Sequence, residues 1–224
     1  MRTLAVLALA LTGCAAPESA QPVAAPVAAP LTAVLTTPRE VTLSWPPGDQ
    51  GAAGRVVEFA TEPRGPYTIL DFVPPGRTTY THPDLIPRTT FYYRLRPYYG
   101  PASNTVEVTL PPGPLEEDLE HDWLDPRTLP GAGTAPGAAP EHLRATVKHA
   151  NGIHFTWTDR SADEEGYLLE VRARGAPGFR VAAVLDPDVN AVGLVTLPEE
   201  KRAAYRVRAF RYGEPSEVVT QTTG

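Results

Sequence analysis

Few side chains in this sequence are of a type and spacing to do chemistry. The chain has 224 residues and a single cysteine, Cys14. A lone thiol closes no intrachain disulfide and leaves no cysteine nucleophile or thiolate metal ligand in the body of the chain. The five histidines, His82, His121, His142, His149 and His154, are scattered. None has a second His or Cys at metal-ligand spacing. There is no Gly-x-Ser-x-Gly, no His-Glu-x-x-His and no glycine loop of the kind that cradles phosphate. The densest acidic group is Asp159, Asp163, Glu164 and Glu165. Carboxylates are calcium ligands, but this stretch lacks the glycine and alternate-residue spacing of a dedicated calcium loop. It reads as a solvated acidic loop. The expectation is no catalytic residue, no metal and no cofactor.

Charge narrows the partners. The formal net charge is -6. Acids and bases cancel over residues 31–110, nearly cancel over 141–224, and leave the excess of acid in 111–140. Neither half has the basic surplus that phosphate-backbone binding requires, so nucleic acid is not an expected partner.

Cys14 has a distinctive setting. Met1-Arg2-Thr3 carries one positive charge, Leu4 to Leu11 is apolar, and Leu11-Thr12-Gly13-Cys14 follows. The apolar run is far short of the roughly 20 residues that span a bilayer, but suits the core of a secretory signal. Leu-Thr-Gly-Cys resembles the lipobox of bacterial lipoproteins. The resemblance implies that residues 1–13 are a signal peptide, and that Cys14 becomes the first mature residue and carries a thioether-linked diacylglycerol and an N-acyl chain such as palmitate. Two or more chains anchor stably where one does not. Ala15 in place of Asp implies the outer membrane. Residues 14–30 are rich in Ala and Pro, offer little to bury, and read as an extended tether. In a polyproline II conformation it reaches up to about 50 Å.

From Leu31 the periodicity becomes that of strands. Val41, Leu43 and Trp45 alternate with Thr42 and Ser44, and Val57 and Phe59 flank Glu58. Strands are also expected over 67–72, 78–82, 90–98 and 104–110, the last closing the unit. A second unit repeats the layout. Ile153, Phe155 and Trp157 match Val41, Leu43 and Trp45, while Tyr205 and Val207 match Tyr93 and Leu95. Its closing strand is expected over 216–220. Seven short strands with turn signals between them suggest a β-sandwich.

Three features carry a resemblance. A Trp ends the second strand of each unit; Gly166-Tyr167-Leu168-Leu169-Glu170-Val171-Arg172 forms a third strand; and Tyr205-Arg206-Val207-Arg208-Ala209 lies in the sixth. Both units resemble fibronectin type III domains, over residues 31–111 and 141–224. The implied fold is all-β, two tandem immunoglobulin-like sandwiches. The chain departs from the family where a tyrosine six residues after the Leu of Leu-x-Pro ties down a loop. Phe91 and Ala203 stand there, so the tie is expected to be missing. Arg55 stands where the second unit has Tyr167. Glu58 is expected beside Arg94 and Arg96, and Glu170 beside Arg206 and Arg208, as exposed cross-strand pairs on a solvated face, each worth a few tenths of a kcal/mol.

Between the units, residues 112–140 form an acidic Pro/Gly-rich linker. Leu115, Leu119 and Trp123 share one helical face, acids crowd its start, and Pro126 stops it. A short helix is expected, docking Trp123 on a domain or offering it to a partner. The expectation overall is a non-enzymatic, lipid-anchored envelope protein whose two domains bind or space. Its partners would be the membrane, through Cys14, and other envelope proteins or surface glycan. Contacts would come from the loops 46–54, 74–77 and 98–103, with Tyr98 and Tyr99 foremost. The alternative is a structural subunit that docks through the linker around Trp123.

Overall fold

The computed structural model describes residues 30–113, 122–131 and 133–224. The expected signal peptide, Cys14, nearly all of the tether, and Leu115 and Leu119 of the linker lie outside the described residues. The described chain is built from fourteen strands and one 3-10 turn, Pro198–Lys201. In the first half these are β1 (Thr32–Thr37), β2 (Glu40–Ser44), β3 (Gly54–Ala60), β4 (Thr68–Val73), β5 (Thr79–His82), β6 (Thr90–Tyr99) and β7 (Val106–Thr109). The second half contains β8 (Glu141–His149), β9 (Gly152–Thr158), β10 (Gly166–Ala173), β11 (Arg180–Leu185), β12 (Ala191–Val195), β13 (Arg202–Tyr212) and β14 (Val219–Thr222).

The alternation read from the sequence decides which side chains are inside. Val41, Leu43, Trp45, Val57, Tyr93 and Leu95 fill one core. Ile153, Phe155, Trp157, Tyr167, Leu169, Val171, Tyr205 and Val207 fill the other. With no disulfide, burial of such side chains is the main cohesive term, about 1.5–3 kcal/mol for each large one. A three-stranded sheet, β1-β2-β5, covers the first core on one side, and β12-β9-β8 does the same for the second. The opposing sheets, β4-β3-β6 and β11-β10-β13, join into a single larger sheet. The fold is therefore all-β, with two tandem sandwiches.

The closing strands do not follow the expected assignment. β7, expected to close the first sandwich, pairs with β13 of the second, from Val106↔Tyr205 to Arg202↔Thr109. β14, expected to close the second, pairs with β6 of the first, from Val219↔Tyr93 to Thr222↔Thr90. Each sandwich thus takes its seventh strand from the other half, and the 31–111 and 141–224 segments are not separate in space. Between these ends, Tyr98 pairs with Tyr212, Tyr99 with Arg211 and Ala102 with Arg208. Residues 90–109 and 202–222 therefore run antiparallel along their length as one ribbon.

Local chemistry explains the exchange. The tightest hairpins, which would return β6 directly to its own sandwich, use one or two central residues at positive φ. The chain offers Tyr99-Gly100-Pro101 and Gly213-Glu214-Pro215, and proline's fixed φ and missing N–H suit a strand-to-strand passage rather than such a hairpin. Gly100 has φ 137, and a Cβ there would lie 1.9 Å from the Ala209 carbonyl oxygen, so only glycine allows the two strands to cross this closely. Equivalent serines pin both arms. Ser103 Oγ accepts the Val207 amide at 3.0 Å, and Ser216 Oγ accepts the Leu95 amide at 2.9 Å.

The crossing brings matching patches together. Val56 and Tyr98 of the first sandwich meet their register equivalents, Leu168 and Phe210, with Phe72 alongside, in a third buried cluster. Tyr98 and Phe210 lie edge to face at 6.5 Å. In the second sandwich a tyrosine two residues further along β13 takes up the loop, its Tyr205 hydroxyl donating to the Glu200 carbonyl at 3.5 Å.

Candidate functional site

Strand parity places Glu58, Arg94 and Arg96 on the face of the first sandwich opposite its core, and Glu170, Arg206 and Arg208 on the same face of the second. The cross-strand pairs form as expected: Glu58 accepts Arg94 Nε at 2.6 Å, and Glu170 accepts both Arg206 and Arg208. Their setting is not the expected one. Glu58 and Glu170 are buried, and Arg208 is only 8 % exposed. These faces meet at the junction, so the carboxylates are covered while Arg94, Arg96 and Arg206 stay partly open to water.

The aromatic side chains there complete the shielding. Arg94 stacks on Tyr67 at 3.9 Å and Arg96 on Tyr212 at 5.0 Å. Arg206 and Arg172 stack on Phe179 at 4.0 and 4.8 Å. Guanidinium groups over ring faces are attracted by the ring quadrupole, more strongly where water is excluded. Around Phe179 this leaves a cleft of about 360 Å³. Pro74 and Pro75 of the first sandwich form one wall, Pro177 to Val181 of the second form the other, and Arg172 and Arg206 lie in it. Arg180, beside it, pairs with the buried Glu200. The cleft is chemically suited to an anionic or hydroxyl-rich group resting against a ring and fixed guanidinium donors. The loop 74–77 was expected in a binding region; Phe179 was not, because nothing in its sequence surroundings indicates which residues face it across the junction.

The other expected contacts are placed differently. Tyr98 is 2 % exposed and belongs to the junction cluster. Burial, and then the negative charge of Glu170, push its hydroxyl pKa up to about 12. It holds the two sandwiches together and reaches the cleft around Phe179 as part of its floor, with little surface of its own. Tyr99 is half-buried beside it, its hydroxyl pKa raised by burial and by Asp49. Trp123 lies against the second sandwich, its ring 5.4 Å from that of His149. Residues 122–125 form a turn, and the rest of the expected helix lies outside the described residues. Gly193 leaves the hollow for the indole, since a Cβ there would sit 2.5 Å from Trp123 Cε3. The linker then runs on under backbone ties, from Gly193 N to Leu124 O at 3.1 Å and from Arg127 N to Ala191 O at 2.9 Å.

The acidic loop also differs from its expected form. Asp163 accepts from Gly137 N and Ser161 and pairs with Arg211 at 2.6 Å, and Glu165 accepts the Tyr212 amide. Asp159 is buried instead of solvated. Asp188, from the β11–β12 loop, joins Asp159 and Glu164.

No protein family matches the chain by sequence, and no curated protein matches it. Solved structures of fibronectin type III domains are similar in part. A two-domain fibronectin type III segment from chicken tenascin is 14 % identical, with a TM-score of 0.29, over 86 % of this chain and 95 % of that one. The chicken CNTN1 FN1-FN3 domains are 19 % identical, with a TM-score of 0.30, over 83 % of this chain and 62 % of that one. The fn3 domain of the human collagen alpha-1(XX) chain is 25 % identical, with a TM-score of 0.28, over 33 % of this chain and 71 % of that one. Scores of this size carry no argument about function. The assignment to paired β-sandwiches rests on the strand order itself.

Proposed function

We propose that this chain is a lipid-anchored protein of the bacterial envelope, and that its paired sandwiches are a rigid, non-enzymatic binding module for a protein or glycan ligand. Anchoring is read from Leu11-Thr12-Gly13-Cys14 and the Ala/Pro tether that follows. The observation that carries the binding reading is the cleft around Phe179, which borrows a wall from each sandwich, the two being tied together by the exchanged strands. A spacer alone would not need two domains fixed in one pose. The alternative of docking through Trp123 is less favoured, because that indole packs within its own chain.

Both parts are tested in intact cells. Cys14→Ser should move the protein out of the membrane fraction; retention there sinks the anchor. Crosslinking followed by capture of the full chain should recover a partner from the parent protein and lose it with Phe179→Ala. Equal recovery from both would remove the cleft from the reading.

A further inference from the structure

We propose that Asp159, Glu164 and Asp188 form a calcium site at the loop end of the second sandwich. Asp159 follows β9, Glu164 lies in the β9–β10 loop, and Asp188 arrives from the β11–β12 loop. One ligand oxygen from each lies within 4.8 Å of the others.

Grouped acids alone would mean little, but two of these carboxylates are incompletely satisfied where water does not reach. Asp159 is 2 % exposed. Its Oδ1 accepts the Tyr167 hydroxyl and the Ser161 amide, the latter at 3.0 Å. Its Oδ2 is buried and has no hydrogen-bond partner, and the same is true of Glu164 Oε2. A buried carboxylate oxygen without a donor is costly, and native proteins rarely leave one so. Among the described residues no basic side chain pairs with any of the three. The nearby arginines are engaged elsewhere, Arg211 with Asp163 and Arg160 with Glu141.

The first sandwich supplies an internal comparison. At the equivalent corner, Arg55 is buried, with Nε 2.8 Å from Asp49 Oδ2 and Nη1 donating to the Pro46 carbonyl at 2.9 Å. One carboxylate there is met by one internal cation. In the second sandwich Tyr167 replaces that arginine, and the carboxylates number three. The built-in cation is lost where the negative charge rises, and a bound cation fills the same electrostatic role.

The donor set selects the ion. All three ligands are hard oxygens, without the imidazole or thiolate that zinc and copper sites favour. Carboxylates from two loops, one buried and one open to solvent, suit the permissive shell of calcium better than the near-ideal octahedron magnesium demands. Exposed Asp188 provides the way in, and water completes the shell.

The test uses the full chain in detergent, stripped with EDTA. Calcium at about 10 mM should raise its melting temperature by about 4–8 °C, on affinities of ~10⁻⁴–10⁻³ M seen for extracellular modules. Terbium should bind with luminescence sensitised by Tyr167 and Trp157, whose rings are 5.6 Å apart, and calcium should displace it. Asp188→Asn, a surface change, should weaken terbium binding at least about tenfold. Asp163→Asn should leave it unchanged. No response of the parent protein to either ion, or parent-like binding by Asp188→Asn, overturns the proposal.

Discussion

At the scale of single residues, burial decides what a charge is worth. Arg160 and Glu141 are half-exposed partners, and such pairs contribute up to about 1 kcal/mol. Glu170 makes a similar pairing while buried, and losing it would leave the buried Arg208 without its carboxylate, a change of up to about 3–5 kcal/mol. Sequence alternation revealed which residues pair, but it carried no information on what covers the pair. Titration follows the same logic at His82, whose Nδ1 lies 3.2 Å from the Tyr93 hydroxyl and whose ring meets Phe59 edge-on at 4.9 Å. Burial lowers its pKa from 6.5. Burial, then Lys148 and Arg127, lower His154 as well. The unfolded chain therefore binds protons at a higher pH than the folded one. Stability should fall as pH drops through 6.5 and level off below the folded-state values. Urea midpoints at pH 7.5 and 5.5 check this: the midpoint should be lower at 5.5, and His82→Gln should reduce the difference.

At the scale of elements, the positions of most strands were legible because half-buried strands alternate. The partner of each closing strand was not. Val106–Thr109 and Val219–Thr222 look alike as short alternating segments, and pairing is decided by the path between them. That path was in fact marked by Gly100-Pro101 and Gly213-Glu214-Pro215, where a tight hairpin would want one or two central residues at positive φ. Asp188 escaped notice for a related reason, since it lies a whole strand and loop away from Asp159. Removing residues 216–224 tests the exchange directly. The protection of amide hydrogens against exchange should fall most in β1 to β6 and least in β8 to β13. Conventional pairing would give the reverse.

At the scale of the whole molecule, the two sandwiches share a ribbon and a third buried cluster, so neither has a complete fold of its own. Tandem domains joined by a linker would reorient and melt separately. Here calorimetry of residues 31–224 should give a single transition, with calorimetric and van't Hoff enthalpies that agree. Two resolved transitions would contradict the sharing. The exchange also sets an order in time. As the chain is synthesised, β6 presents an open edge of backbone donors and acceptors, and its proper neighbour lies 132 residues later, where Thr90 finally meets Thr222. The first half must stay unfinished until the last strand arrives, and an unpaired edge held open that long invites the wrong partner. The hazard of the exchange therefore falls on the chain while it is being made, not on the finished fold.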